Sequence, residues 1–116
     1  MTRGEIWWAD FGIPFASEPG FRRPVLIVQD DTFNKSRINT VIVIPLTTNL
    51  SLENAPGNIH LEKQDSGLSK DSVVVVSQIG VLDKGRMIEM TSRLGKRCIE
   101  EIEYGMRLVL GLKIIC

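Results

Sequence analysis

The chain has 116 residues, of which 43% are hydrophobic and 24% are charged, and its 14 basic residues balance its 14 acidic residues. This length suits one domain over residues 1–116, and the composition is ordinary for a folded globular protein rather than a disordered one. Zero net charge excludes a protein that coats nucleic acid through a generally basic surface, but it allows a local basic site.

The sequence also lacks the marks of export, membrane insertion and metal binding. Its N-terminal segment MTRGEIWWADFG has no apolar core typical of a signal peptide, and no apolar run reaches the roughly 20 residues of a membrane helix. Its two cysteines, Cys98 and Cys116, have neither the spacing of a zinc site nor that of a disulfide framework. We therefore expect a cytoplasmic protein without a metal or other cofactor.

The first half of the chain predicts three strands joined by loops. Residues 5–10 are short and aromatic, residues 24–29 form an almost continuous apolar run, and residues 41–46 are rich in β-branched side chains. The second run indicates a strand buried on both faces, whereas Pro45 in the third indicates a strand end or a sheet edge. The connection over residues 11–23 is long for a small domain, which is typical of functional loops.

The second half predicts further strands followed by one helix. Residues 58–61 and 86–89 form short strands, and residues 71–78, with the sequence DSVVVVSQ, form a strong one. Residues 96–112 carry apolar side chains three and four positions apart, which indicates an amphipathic helix. Because no long helix separates the strands, we expect a mainly β fold in which a small antiparallel barrel precedes a C-terminal α-helix.

Familiar catalytic and ligand-binding motifs are missing from the sequence. His60 is the only histidine, and no acidic residue is paired with it at a recognisable spacing, so we interpret it as a surface or partly packed side chain. Neither of the glycine-rich motifs that cradle phosphates occurs, and no cluster of metal ligands is visible. A nucleophilic triad, a nucleotide-binding loop and a metal centre are therefore not expected.

Two arginines, Arg22 and Arg23, stand at the entrance of the second predicted strand. A guanidinium group is always charged and its planar fork matches a phosphate, so this position suits an anion site. Pro24 restricts Arg23 to an extended backbone, which holds the arginine side chain to one side of the strand entrance. An ion pair between Arg23 and Glu18 or Asp10 is an equally good interpretation of the local sequence.

Polar clusters also mark the ends of two apolar runs. Thr47, Thr48 and Asn49 follow the third predicted strand, and Gln78 ends the strand DSVVVVSQ. Ordinary turns stabilised by hydroxyl side chains would explain such clusters. Because strand ends can converge in a small barrel, Arg23, Thr47 and Gln78 can instead form one rim.

The adjacent Trp7 and Trp8 point to opposite faces of the first predicted strand. One of them can pack in the core. The other is then exposed, covered by a loop or placed at an interface, where tryptophan is a common anchor. Packing of both rings inside the monomer is the alternative.

Five segments occur in order along the chain: RGEIWWADF, RRPVLIVQDD, VIVIPLTTN, DSVVVVSQIGVLDKGRM and the closing amphipathic helix. Together they resemble the MazF/PemK toxin family of bacterial toxin–antitoxin systems over about residues 3–112. The resemblance implies an SH3-like β-barrel with a C-terminal helix, assembled as a homodimer. It also implies a sequence-specific endoribonuclease that cuts single-stranded RNA, mainly mRNA, without a metal, leaving a 2′,3′-cyclic phosphate and a 5′-hydroxyl. The implied protein partner is a MazE-like antitoxin whose disordered C-terminal segment covers the RNA groove.

Through the motifs RPVL and PLTTN, the resemblance assigns catalytic roles to Arg23 and Thr47. Ser17, Glu18 and Gln78 match RNA-contacting positions of the family, and the loops add Phe15, Phe21, Thr48 and Asn49 as base-reading candidates. Some relatives use an arginine and an aspartate as acid and base just before this glutamine, but Val75 and Ser77 stand there in this chain. The form of the mechanism that uses an arginine and a threonine therefore fits better.

Two other functions are compatible with the same sequence. A non-enzymatic toxin of this fold, resembling CcdB, would poison DNA gyrase through protein contacts and would not need Arg23 for toxicity. A small SH3-like binding module would have no toxic activity at all.

Overall fold

A computed structural model describes residues 1–13 and 21–113 of the chain. The described residues form seven strands, several of them rich in β-branched side chains: β1 (Glu5–Asp10), β2 (Arg22–Ile27), β3 (Thr40–Thr47), β4 (Ile59–Leu61), β5 (Ser72–Val74), β6 (Gly80–Asp83) and β7 (Met87–Arg93). The α-helices are α1 (Asp31–Asn34), α2 (Lys63–Ser66) and α3 (Lys96–Leu110), and 3-10 turns occupy Leu50–Asn54, Val76–Gln78 and Lys84–Arg86. None of the helices in the described ranges has the length and apolar content needed to cross a bilayer.

The strand pairs are antiparallel, in the order β4-β5-β3-β2-β1-β7, with β6 added to β3. This arrangement confirms the predicted mainly β, antiparallel fold with a C-terminal helix. The pairings between described residues follow a path from β4 to β7 rather than a closed ring. One edge of β3 pairs with β2, and the other edge is shared by β5 and β6.

The predicted strand DSVVVVSQ is broken in the structure, because its two ends pair with different stretches of β3. Leu46 pairs with Val74, and Val43 pairs with Gly80. The two β3 residues are three positions apart, whereas their partners are six positions apart. The surplus of three residues forms the 3-10 turn Val76–Gln78, which acts as a large bulge between β5 and β6.

Pro45 indicated a strand end or a sheet edge, but this prediction was wrong, because the residue lies inside β3. It pairs with Val25 on β2, and its carbonyl oxygen accepts a hydrogen bond of 2.9 Å from the Val75 amide. The partner strand is interrupted beside this residue, and proline is tolerated within sheets at such irregularities because it has no N–H to donate.

Alternate side chains of the central strands enter two hydrophobic cores. The first core includes Ile6, Leu26, Ile44 and Leu46 together with Ile102 of α3. The second consists of Ala9, Val25, Ile27, Val41 and Val43. Because neighbouring residues of β2 contribute to different cores, this strand is buried on both faces, as its continuous apolar run predicted.

α3 is positioned by a close contact between two backbones. Gly105 packs against the turn at Gly57, so that a Cβ on Gly105 would overlap the Gly57 carbonyl oxygen. A Cβ on Gly57 would lie 2.5 Å from Val109 Cγ2, and the φ of +86° at Gly57 also favours glycine. The helix then ends at Gly111, whose φ of 68° is the left-handed conformation common at helix C-termini.

Candidate functional site

The entrance of β2 lies beside the end of β3, which brings the two predicted catalytic residues together. Val25 on β2 pairs with Pro45 on β3, and continuing this antiparallel register by two residues places Arg23 opposite Thr47. On the other side of β2, Ala9 of β1 pairs with Arg23. Both Arg23 and Thr47 line one surface groove with a volume of about 370 Å³.

Positive charge is concentrated in this groove. Arg22, Arg23 and Lys70 line it, and no carboxylate does so among the residues that the structure describes. The whole chain has zero net charge, so the groove is a local excess of cations rather than a part of a basic surface. Such a site attracts anions, and guanidinium groups in particular match the oxygens of a phosphate.

The Thr47 hydroxyl can stabilise a local turn and bind a ligand at the same time. Its Oγ1 accepts a hydrogen bond of 3.2 Å from the Asn49 amide, which is the ordinary hydroxyl-stabilised turn that the sequence allowed. The hydroxyl proton is not used in this contact, so Thr47 can still donate a hydrogen bond to a ligand in the groove. The neighbouring Thr48 is exposed and also lines the groove.

Asn49 has a structural role in the described part of the chain. Its Oδ1 accepts from the Ser51 amide at 3.3 Å and from Ser51 Oγ at 2.6 Å, which caps the 3-10 turn Leu50–Asn54. The groove-lining residues do not include Asn49. Its predicted contact with RNA therefore stays a prediction that the geometry of the groove does not support directly.

Gln78 lies in the 3-10 turn Val76–Gln78, beside the middle of β3 rather than beside its end. It is half-buried and does not line the groove. The structure thus brings Arg23 and Thr47 together on one rim but leaves Gln78 outside it. The reason is the bulge between β5 and β6, which no local feature of the sequence reveals.

Three predicted RNA-contacting residues, Phe15, Ser17 and Glu18, lie outside the described residues, and their roles stay predictions. The same holds for an ion pair between Arg23 and Glu18. Asp10, the other candidate partner, has its Oδ1 2.8 Å from the Gly12 amide, from which it accepts a hydrogen bond, and its backbone oxygen accepts from Arg86 Nη1 at 3.1 Å.

Further residues line the groove beside Arg23 and Thr47. Two are aromatic, Trp8 and Phe21, of which the sequence had offered Phe21 as a base-reading candidate. Lys70 and Ser72 were not singled out; Lys70 precedes β5 and Ser72 is its first residue. Alternation along β1 allowed one tryptophan to leave the core, and the one that lines the groove is Trp8. Trp7 packs against the second core instead, and its Nε1 donates to Glu5 Oε1 at 3.0 Å.

His60 lies away from the groove and bridges two segments of the chain. Its Nδ1 is 2.7 Å from Glu53 Oε2, and its Nε2 is 3.4 Å from Asp71 Oδ2. The contact with Glu53, helped by Asp71, raises the pKa of His60 above its ordinary value of 6.5. Acidic partners therefore exist, but they come from positions 7 and 11 residues away that local pattern does not connect.

Comparison with known proteins agrees with the fold and shows the family of the chain. Residues 2–110 match the family of PemK-like, MazF-like toxins of type II toxin–antitoxin systems. Endoribonuclease MazF6 of Mycobacterium tuberculosis is 40% identical over 112 residues, which cover 97% of this chain and 98% of the relative. Endoribonuclease MazF of Staphylococcus saprophyticus is 37% identical over 115 residues, 99% of this chain and 95% of the relative. The chain therefore belongs to the PemK/MazF toxin family.

Solved structures show the same fold at lower sequence identity. A mycobacterial endoribonuclease in complex with its cognate antitoxin superposes with a TM-score of 0.80 at 21% identity, covering 99% of both chains. MazF from Deinococcus radiodurans gives a TM-score of 0.80 at 22% identity, covering 97% of both chains. These two matches establish that the arrangement of strands and C-terminal helix is the MazF fold.

Proposed function

We propose that this protein is a sequence-specific endoribonuclease toxin of a toxin–antitoxin system, and that it cuts single-stranded RNA in the groove of Arg23 and Thr47. The observation that carries the proposal is the groove itself, in which three cations and two aromatic rings line one surface of a neutral chain. Cations match the RNA backbone, and aromatic rings match unstacked bases. The endoribonuclease relatives support the same activity.

The reaction that suits these residues is internal transesterification. The 2′-oxygen attacks the adjacent phosphorus, the bond to the 5′-oxygen breaks, and the products are a 2′,3′-cyclic phosphate and a 5′-hydroxyl. The 2′-hydroxyl loses a proton, and the departing 5′-oxygen gains one. These bond changes and proton transfers do not require a metal ion, and we propose that the reaction proceeds without one.

Arg23 and Thr47 stabilise the charge that develops in this reaction. The guanidinium of Arg23 neutralises the phosphorane oxygens, and the Thr47 hydroxyl donates a hydrogen bond to one of them. An arginine side chain keeps its proton, so Arg23 acts through electrostatics rather than as the general base. In this scheme water or an RNA group accepts the 2′-proton, and a water molecule supplies the proton that the 5′-oxygen gains.

The proposed biological setting follows the family. We propose that residues 1–116 act as one toxin domain, in the cytoplasm, as a homodimer held in check by a MazE-like antitoxin. Solved complexes of this fold support the partner, since an endoribonuclease and a MazF are each described together with an antitoxin. An antitoxin segment in the groove would exclude RNA by occupying the same cations.

Alanine variants of the two proposed catalytic residues test this function. Arg23→Ala and Thr47→Ala are incubated with a long single-stranded RNA in EDTA, beside the wild type. Loss of one charge-stabilising donor costs on the order of 100- to 1,000-fold in rate, and we expect a loss of this size for Arg23→Ala. Arg37→Ala is the control, because Arg37 is an exposed arginine beyond the other end of β2.

Equal cleavage by wild type, Arg23→Ala and Thr47→Ala would contradict the assignment of this groove. Growth arrest that persists in Arg23→Ala, with no RNA cleavage by any form, would instead favour a CcdB-like toxin that acts on DNA gyrase. Absence of both cleavage and growth arrest would favour a binding module.

A further inference from the structure

Phe21 has a backbone conformation that side chains rarely adopt. Its φ of 59° makes it the one non-glycine residue with a positive φ in residues 1–13 and 21–113. For an L-amino acid with a bulky side chain this left-handed conformation is sterically unfavourable. Two hydrogen bonds to the extension of β1 hold it: the Phe21 amide donates to Gly12 O at 2.5 Å, and the Phe11 amide donates to Phe21 O at 2.8 Å.

Packing of the Phe21 ring does not offset this strain. Its side chain is 66% exposed, and it belongs to neither hydrophobic core. Glycine would fit the same backbone without strain, because it has no Cβ. Strained residues without a packing role are concentrated at functional sites, where the surrounding structure holds them in place.

The position of Phe21 in the groove indicates which kind of group its ring can bind. Phe21 lines the groove that also contains Trp8 and the three cations, and it directly precedes Arg22. Proteins that bind single-stranded RNA combine such cations, which hold phosphates, with aromatic side chains, on which unpaired bases stack. A ring fixed at the rim of a phosphate-binding groove therefore faces a base of the strand whose backbone the cations hold.

Building on the proposed endoribonuclease function, we propose that Phe21 is a stacking platform for an unpaired base adjacent to the RNA phosphate held by Arg23. Its positive φ sets the direction in which the side chain leaves the backbone at the groove, and the two backbone hydrogen bonds with Gly12 and Phe11 hold that backbone before RNA binds. The ring increases the affinity for RNA and positions the nucleotide, and it adds no charge to the groove.

Glycine and tryptophan substitutions separate stacking from folding. Phe21→Gly removes the ring and also the backbone strain, so its melting temperature is expected to equal or exceed that of the wild type. Its affinity for RNA is expected to fall by about 5- to 150-fold, the range measured for loss of one base–aromatic stack. Phe21→Trp keeps an aromatic face and is expected to bind within a few-fold of the wild type.

The probe is a single-stranded RNA oligonucleotide spanning a mapped cleavage site, with a 2′-deoxy nucleotide that blocks cutting and 2-aminopurine beside it. Binding by wild type is expected to quench the 2-aminopurine fluorescence, and Phe21→Gly is expected to lose this quenching. The slope of affinity against salt concentration is expected to be the same for both, because no phosphate contact is lost.

Two results distinguish the possible failures. If wild type binds and cuts RNA but Phe21→Gly binds equally well, or loses affinity only together with thermal stability, the stacking role is wrong and the endoribonuclease function stands. If wild type neither binds the oligonucleotide nor cuts its unmodified form, the proposed function is wrong, and the stacking role fails with it.

Discussion

Strand pairing between distant segments places Lys70 in the groove. It lies in the segment between α2 and β5, and the pairing of Thr47 with Val73 carries that segment to the groove. Its ammonium group forms no ion pair with the described part of the chain. A cation with no acidic partner in residues 1–13 and 21–113, placed in the same groove as Arg23, is suited to a second phosphate of a bound RNA strand.

Removal of this charge should weaken RNA binding in a way that does not depend on sequence. For Lys70→Met we expect lower affinity for all single-stranded RNAs tested and a salt slope that is smaller by about 1. Affinity measured over a series of salt concentrations checks this. Lys35→Met is the control, since Lys35 follows α1 beyond the opposite end of β2. An unchanged slope for Lys70→Met would exclude a phosphate contact.

The sequence predicted that Arg23 and Thr47 lie close together, but not which other residues line their groove. Arg23 and Thr47 each belong to a recognisable motif at the end of an apolar run, and the family resemblance identified both. Lys70 carries no such mark, because its place in the groove depends on a pairing between distant segments. Phe21 was predicted only as one of several loop residues, and its unusual φ angle could not be read from the sequence. Residues of this kind become visible only in the folded molecule.

Among the larger elements, α3 depends on the fit between Gly105 and the turn at Gly57. Alanine is favoured over glycine inside a helix by about 0.8–1.0 kcal/mol, so Gly105→Ala would stabilise an isolated helix. In this fold the added methyl group overlaps the Gly57 carbonyl oxygen. Neither group can rotate away, because the oxygen is a backbone atom and the position of a Cβ is fixed by its own backbone. We expect the free energy of unfolding to fall by about 1–2 kcal/mol.

Chemical denaturation of Gly105→Ala and Gly95→Ser checks this prediction. Gly95 is the N-cap of α3, makes no side-chain capping hydrogen bond, and has nothing within 4 Å of an added Cβ. Serine at this position can cap the helix, so we expect a gain of roughly a few tenths of a kcal/mol. Unchanged or increased stability of Gly105→Ala would show that the two backbones are not in tight contact.

His60 links the 3-10 turn Leu50–Asn54 to the segment before β5, and the stability that this link adds should depend on pH. The carboxylates of Glu53 and Asp71 hold the pKa of His60 above its ordinary value of 6.5, so the folded state favours the charged imidazolium. This stabilisation is complete below the pKa of the unfolded chain and is lost as pH rises through the higher folded value.

The melting temperature of wild type relative to His60→Gln measures this contribution. We expect the difference in favour of wild type to be largest below pH 6.5 and to shrink as pH rises above the raised pKa. The comparison is made well above the pH range in which carboxyl groups ordinarily titrate. A difference that stays constant, or that grows with rising pH, would show that the bridge does not titrate as the geometry indicates.

Strand positions were predictable because the apolar runs are long and rich in β-branched residues. Residues 5–10 coincide with β1, and the run 41–46 lies inside β3. The break after Val74 was not predictable, since the valines continue through it without a change of composition. It results from a shift of register against β3, which is a property of the sheet rather than of the segment.

For the whole molecule, exposed apolar side chains support the proposed self-association. Ile42 and Val81 are paired across β3 and β6 and are 38% and 61% exposed. Neighbouring exposed apolar side chains of this kind are typical of surfaces that contact another protein. We expect sedimentation velocity to give twice the chain mass of 13.0 kDa. A single species with the mass of one chain, under conditions in which RNA is cut, would contradict a functional homodimer.

The chemical nature of the RNA ends tests the central claim most directly. Wild-type protein is incubated with a long single-stranded RNA in EDTA, and the termini of the fragments are identified by mass spectrometry. Internal transesterification in the groove of Arg23 and Thr47 predicts 2′,3′-cyclic phosphate and 5′-hydroxyl ends, and no cutting where a 2′-deoxy nucleotide replaces the one before the scissile bond. Fragments with 5′-phosphate ends, or cleavage that begins only when a divalent metal is added, would contradict the account.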